Sequence, residues 1–120
     1  MMQRATILLA HGSRDPLWSR PTEAVAQRMR ELEPARLVRC AYLELMQPDL
    51  LATVAQLACE GATAVTIVPM FLGVGQHARR DLPILVTTLA HDHPQISFTL
   101  QTAIGENPQV LELMARVALE

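Results

Sequence analysis

This 120-residue sequence predicts a parallel α/β fold, with four βα units wound on both faces of a four-stranded sheet in the order 2-1-3-4. Three observations carry that expectation. Half of the residues are apolar and only 3% aromatic, so the core is built from Leu, Val, Ile and Ala, as in parallel sheets covered by helices. Short continuous apolar runs alternate with longer segments of helical spacing, the crossovers that parallel neighbours require. Because each crossover is right-handed, the economical order for a small doubly wound sheet makes strands one and three neighbours, with the topological switch between them.

Ala5 to Ala10 is the first strand, a short apolar run that leaves the sheet at His11-Gly12-Ser13-Arg14-Asp15-Pro16. From Ser19 a helical pattern follows, with Pro21 tolerated in its first turn, Val25, Met29 and Leu32 spaced to face a sheet, and Pro34 as a stop. Leu37 to Leu43 is the second strand, in which Arg39 indicates an edge position. Pro48 opens the next helix, whose Leu50, Leu51, Val54, Leu57 and Ala58 form one stripe before Gly61 ends it. Ala64 to Phe71 is the third and most apolar strand, with Pro69 near its carboxyl end, where a ladder bond can be spared. Asp81 then reads as the N-cap of a helix with Pro83 in its first turn and Leu82, Leu85, Val86 and Leu89 on its apolar side. Ile96 to Leu100 alternates as an edge strand does, and Asn107-Pro108 starts the last helix.

The totals set limits. A chain of this length forms one compact domain over residues 1–120, with a real core. A net charge of −2 offers no basic excess for a nucleic-acid surface. Cys40 and Cys59 lack metal-finger spacing and sit in apolar runs, where small buried thiols are expected. The first residues lack the apolar core of a secretion signal, and no run approaches the roughly 20 apolar residues of a membrane span. A soluble, cytoplasmic protein with no membrane contact is expected.

The chemistry gathers at the carboxyl ends of the strands. His11 follows strand one and His77 follows strand three, so the predicted topology sends both imidazoles to one crevice at the switch point. Glu44 follows strand two. Two imidazoles and a carboxylate suit a divalent first-row metal with open positions, and imidazoles also suit proton transfer near neutral pH. Arg14, Arg79 and Arg80 crowd the same rim, either as a solvated face or as bidentate grips for a polycarboxylate. Trp18, Leu43, Leu45, Met46, Leu72 and Val74 are available as apolar walls. Gly73-Val74-Gly75-Gln76-His77-Ala78 formally fits a dinucleotide fingerprint, but Leu100-Gln101-Thr102 stands where its acidic partner belongs.

Leu9 to Pro16, Ala41-Tyr42-Leu43-Glu44 with Pro48, and Val68-Pro69-Met70-Phe71-Leu72 through Gly75-Gln76-His77 to Asp81-Leu82-Pro83 together resemble the short-form CbiX group of class II tetrapyrrole chelatases. The resemblance spans nearly the whole chain. It implies insertion of Co, Fe or Ni into a sirohydrochlorin-type macrocycle, most readily cobalt for cobalamin synthesis, with no cofactor beyond the metal that is consumed. His11 and His77 then bind the metal and accept pyrrole protons, and Glu44 matches an assisting acidic position. Ser13, Arg14, Leu43, Gly75, Gln76, Arg79 and Arg80 become the candidate substrate contacts. Longer relatives carry two such units, so a short chain is expected to form a homodimer. A siroheme ferrochelatase, a nickel chelatase and a metal carrier without tetrapyrrole chemistry stay open as alternatives.

Overall fold

The computed structural model describes residues 2–120. Its elements run β1 (Arg4–Ala10), a 3-10 turn (Pro16–Ser19), α1 (Arg20–Leu32), β2 (Leu37–Tyr42), α2 (Leu50–Cys59), β3 (Ala64–Pro69), α3 (Gln76–Asp92), β4 (Ser97–Leu100), a second 3-10 turn (Ile104–Glu106) and α4 (Pro108–Ala118). The strands form one parallel sheet in the order β2-β1-β3-β4. This is the predicted order, with β1 and β3 adjacent at the switch point. Leu9 pairs with both Ala41 and Pro69, so the carboxyl ends of β2, β1 and β3 finish nearly level.

The two sheet faces are covered unequally. On one, Ala5, Ile7, Leu9, Val65 and Ile67 pack with Leu50, Val54 and Leu57 of α2 and Leu82 and Leu89 of α3, all buried. On the other, Leu8 and Val68 meet Ala26 of α1. Between α1 and α4 this second face stays open as an apolar groove of about 620 Å³, lined by Leu8, Val68, Met70, Val25, Met29, Leu32, Ile104 and Val110 among others. Val25 and Leu32 line this groove on the sheet side of α1, as their spacing predicts, and are 42% and 63% exposed there. No residue of α4 is buried.

Several boundaries differ from the sequence reading. α3 starts at Gln76, five residues before the expected cap at Asp81, because extended Gly75 serves as N-cap and its carbonyl accepts the Arg79 N–H at 3.0 Å. Pro83 therefore lies inside the helix, on an exposed face, and cannot donate the intrahelical bond of its position. α2 is capped by Asp49 rather than opened by Pro48, the carboxylate accepting the Ala52 N–H at 2.8 Å. Cys59 is exposed and Cys40 half-buried, whereas both were expected inside. Cys59 lies two residues beyond buried Leu57, on the solvent side of α2. Arg39 sits on edge strand β2, as predicted, and pairs with Glu60.

Candidate functional site

Backbone contacts fix the loops above the sheet before any side chain is considered. The Ala10 carbonyl accepts the Leu43 N–H at 2.9 Å, and the His11 carbonyl accepts the Glu44 N–H at 3.0 Å, which extends the β1–β2 pairing past the strands. Gly12 makes that approach possible: its φ is +102°, and a Cβ there would fall 1.8 Å from the Glu44 carbonyl oxygen. On the other side the Gly105 N–H donates to the Phe71 carbonyl at 2.9 Å, and a Cβ at Gly105 would meet the Leu72 carbonyl at 2.2 Å. The segments bearing His11, Glu44 and Phe71 are thus clamped, main chain to main chain.

Side chains from these segments enclose an open cavity of about 580 Å³, lined by His11, Leu43, Glu44, Gly75, Gln76, His77, Ala78, Asp81, Leu82 and Leu85. His11 and His77 are exposed to it, as is Glu44. The His11 ring lies stacked on buried Phe71, with centroids 4.2 Å apart and planes 23° from parallel. His77 stands in the first turn of α3 rather than in a loop, so its backbone is set by a helix of 17 residues. No three His, Cys, Asp or Glu side chains converge closely enough to hold a metal ion among the described residues. The donors line a wall and do not form a cage.

The remaining candidates are placed less centrally. Leu43, Gly75 and Gln76 line the cavity, while Ser13 and Arg14 do not; the Ser13 hydroxyl accepts the Asp15 N–H at 3.1 Å and shapes the β1 loop. Arg79 and Arg80 also lie off the cavity, because the helix carries them around to other sides. Arg79 lines a separate pocket of about 300 Å³ with Val74, Gln101 and Glu106, and Arg80 meets Asp81 at 3.4 Å. Of the expected walls, Trp18 tilts against Tyr42 and Leu72 stands 75% exposed at the rim. An added Cβ at Gly73 or Gly75 would meet open space, so the loop between β3 and α3 leaves room above it.

Two residues, one beneath His11 and one on the cavity wall, escape a reading by motif. Phe71 reads as the end of an apolar strand, and only its adjacency to β1 reveals that it carries His11. Asp81 reads as a cap, whereas the four-residue step from His77 would have placed it on the same helical face had the helix been started early enough.

Comparison with known proteins settles the family. The CbiX family model matches residues 5–120. The chain belongs to the CbiX family. It is 34% identical to a solved CbiX protein from Marinobacter aquaeolei VT8, with a TM-score of 0.82 over 97% of this chain and 93% of the other. The sirohydrochlorin cobaltochelatase of Methanococcus aeolicus is 35% identical over 79 residues, 66% of this chain and 55% of that one. The sirohydrochlorin chelatase SirB from Bacillus subtilis subspecies spizizenii, solved in complex with cobalt, shares the fold at a TM-score of 0.81 and 24% identity; the match covers 98% of this chain and 50% of SirB. Other CbiX relatives are named for iron, among them the sirohydrochlorin ferrochelatase of Bacillus subtilis. The chain spans about half the length of the methanogen relatives it matches.

Proposed function

We propose that this CbiX chain inserts a divalent metal ion, cobalt before iron or nickel, into sirohydrochlorin. One observation carries the reading: His11 and His77, brought from the ends of adjacent strands, line one open cavity with Glu44 beside them. The names of its relatives, most of them cobaltochelatases, supply the substrate.

The chemistry asks little covalent work of the protein. The divalent ion enters the ring as two pyrrole N–H protons leave, so the two positive charges the ion brings depart with two protons, for which acceptors are needed. His11 and His77 hold the ion through imidazole nitrogen, release it to the ring and take up the protons. Glu44 offsets the positive charge that gathers there. Holding ion and ring together makes metal–nitrogen bond formation effectively intramolecular. The macrocycle rests against Leu43, Gly75 and Gln76, and the exposed apolar rim of Leu17, Trp18, Leu45 and Leu72 extends that surface. Ser13, Arg14, Arg79 and Arg80 lie off the cavity, and acid arms of a ring that extends beyond it are their proposed partners.

The same reading takes residues 1–120 as one chelatase unit, paired with a second copy and acting in the cytoplasm. The pairing is supported by the match to only half of the SirB chain and by the uncovered apolar faces of α1 and α4. Two free thiols accord with a reducing compartment.

The test follows sirohydrochlorin absorbance with Co²⁺, Ni²⁺ and Fe²⁺ across protein concentration. Insertion with cobalt is expected, together with its loss in the double variant His11→Ala/His77→Ala. An unchanged rate in that variant sinks the mechanism, and tight metal binding without any macrocycle binding makes the chain a metal carrier instead.

A further inference from the structure

We propose that Asp81 is a metal ligand of this site, acting with His77 to receive the divalent ion before it reaches His11; the proposal rests on the chelatase reading for its purpose but not for its geometry. Asp81 and His77 are four residues apart in α3 and both line the cavity. Side chains at this spacing stand one above the other on a helix, with Cβ atoms about 6 Å apart, close enough for both to bind one ion by rotamer adjustment alone. The same i,i+4 step holds metals on helices elsewhere, because the backbone fixes both donors before the ion arrives.

Three further observations favour transit over storage. The donors do not converge into any three-ligand group among the described residues, so an ion held by the His77–Asp81 pair keeps water in its other positions and leaves readily. The Asp81 side chain is 62% exposed, which lets it meet a hydrated cation from solvent. Among the described residues it also has no structural task that would explain its place: it caps no helix, and its one polar partner there is the neighbouring exposed Arg80 at 3.4 Å. His77, which shares the cavity with His11 on one side and the helical step with Asp81 on the other, is the common member of two successive pairs. A carboxylate is the harder donor and suits the hydrated ion, while the imidazole pair suits the partly dehydrated one. Arg80 lowers the attraction of Asp81 for cations and acts as its counterweight.

The experiment titrates Co²⁺ into the metal-free protein by calorimetry, without tetrapyrrole, at low salt and at high salt, and measures insertion kinetics in parallel. Asp81→Asn is expected to weaken cobalt binding roughly tenfold, the scale seen when a metal site loses a supporting group, at both salt concentrations. In the insertion assay the loss falls on KM for cobalt rather than on kcat. Arg80→Gln is expected to tighten cobalt binding and lower that KM. Unchanged cobalt affinity and KM in Asp81→Asn overturn the proposal, as does a loss that vanishes at high salt, which would reduce Asp81 to a long-range field. Circular dichroism confirms that α3 persists in each variant. If the wild-type protein inserts no metal while Asp81→Asn still weakens cobalt binding, the chelatase reading fails and the ligand assignment stands.

Discussion

The imidazole of His11 lies on the ring of Phe71, centroids 4.2 Å apart, so a residue just past β3 supports the side chain that follows β1. The contact crosses the topological switch point. It converts strand adjacency into a fixed ring plane for a side chain that is otherwise exposed.

Phe71→Leu should therefore separate stability from function. Phe71 is 4% exposed, and an aliphatic replacement of similar size should cost about 1–2 kcal/mol in a denaturant titration. It also removes the flat surface under His11. Cobalt affinity and insertion rate should fall by more than a core change of that size elsewhere produces, with Leu89→Met as the comparison. Equal losses in the two variants would show that Phe71 only fills space.

Gly12→Ala is expected to be the most damaging single methyl in the chain. It imposes a positive φ on an L side chain and drives a Cβ into the Glu44 carbonyl, and the strain alone is worth about 1–3 kcal/mol. The β1 and β2 loops must part, breaking the His11–Glu44 backbone bond. Gly73→Ala, with open space around the new methyl, should change stability by less than about 1 kcal/mol in either direction. Thermal melts of the two variants provide the comparison.

The glycine contrast also shows what could be read from the sequence. Strand order, the edge position of Arg39, the place of Pro69 and the meeting of His11 with His77 all follow from periodicity and connection rules, which local residues obey. The start of α3 does not. Asp81-Leu82-Pro83 imitates a capped helix start, while the true cap, Gly75, acts through backbone geometry and leaves no side-chain signal. That shift of the cap from Asp81 to Gly75 turned Arg79 and Arg80 from loop residues into helical ones facing away from the cavity. It also hid Asp81 among caps. Gly12 and Gly105 owe their importance to chain segments far away in sequence, which no local pattern reveals.

The two thiols should react in order. Burial pushes the Cys40 thiol up from its ordinary value, repulsion from Glu23 adds to this, and Arg30 opposes it. A raised pKa leaves less thiolate at pH 8, and access is poorer as well. Exposed Cys59 should accordingly be alkylated by iodoacetamide before Cys40 in the native protein, as read by peptide mass spectrometry. Faster labelling of Cys40 would mean that α1 opens readily from β2.

The groove between α1 and α4 is where the proposed second copy would bind. Leu32 is 63% exposed on its wall, and the apolar Leu111, Leu113 and Val117 of α4 are at least half exposed. In an isolated chain, Leu32→Lys touches little and should move stability by no more than about 0.5 kcal/mol. In a dimer that buries this face, the same change places a charge in an apolar contact, where an unpaired ammonium is costly. Sedimentation of the wild-type chain should show a dimer, and Leu32→Lys should shift it to monomer with its circular dichroism intact. Insertion per chain should then fall in parallel, because the proposed cleft needs both copies. A variant that stays dimeric moves the interface away from this groove, to the apolar rim around Leu17, Leu45 and Leu72, and Leu72→Asp tests that position in the same way.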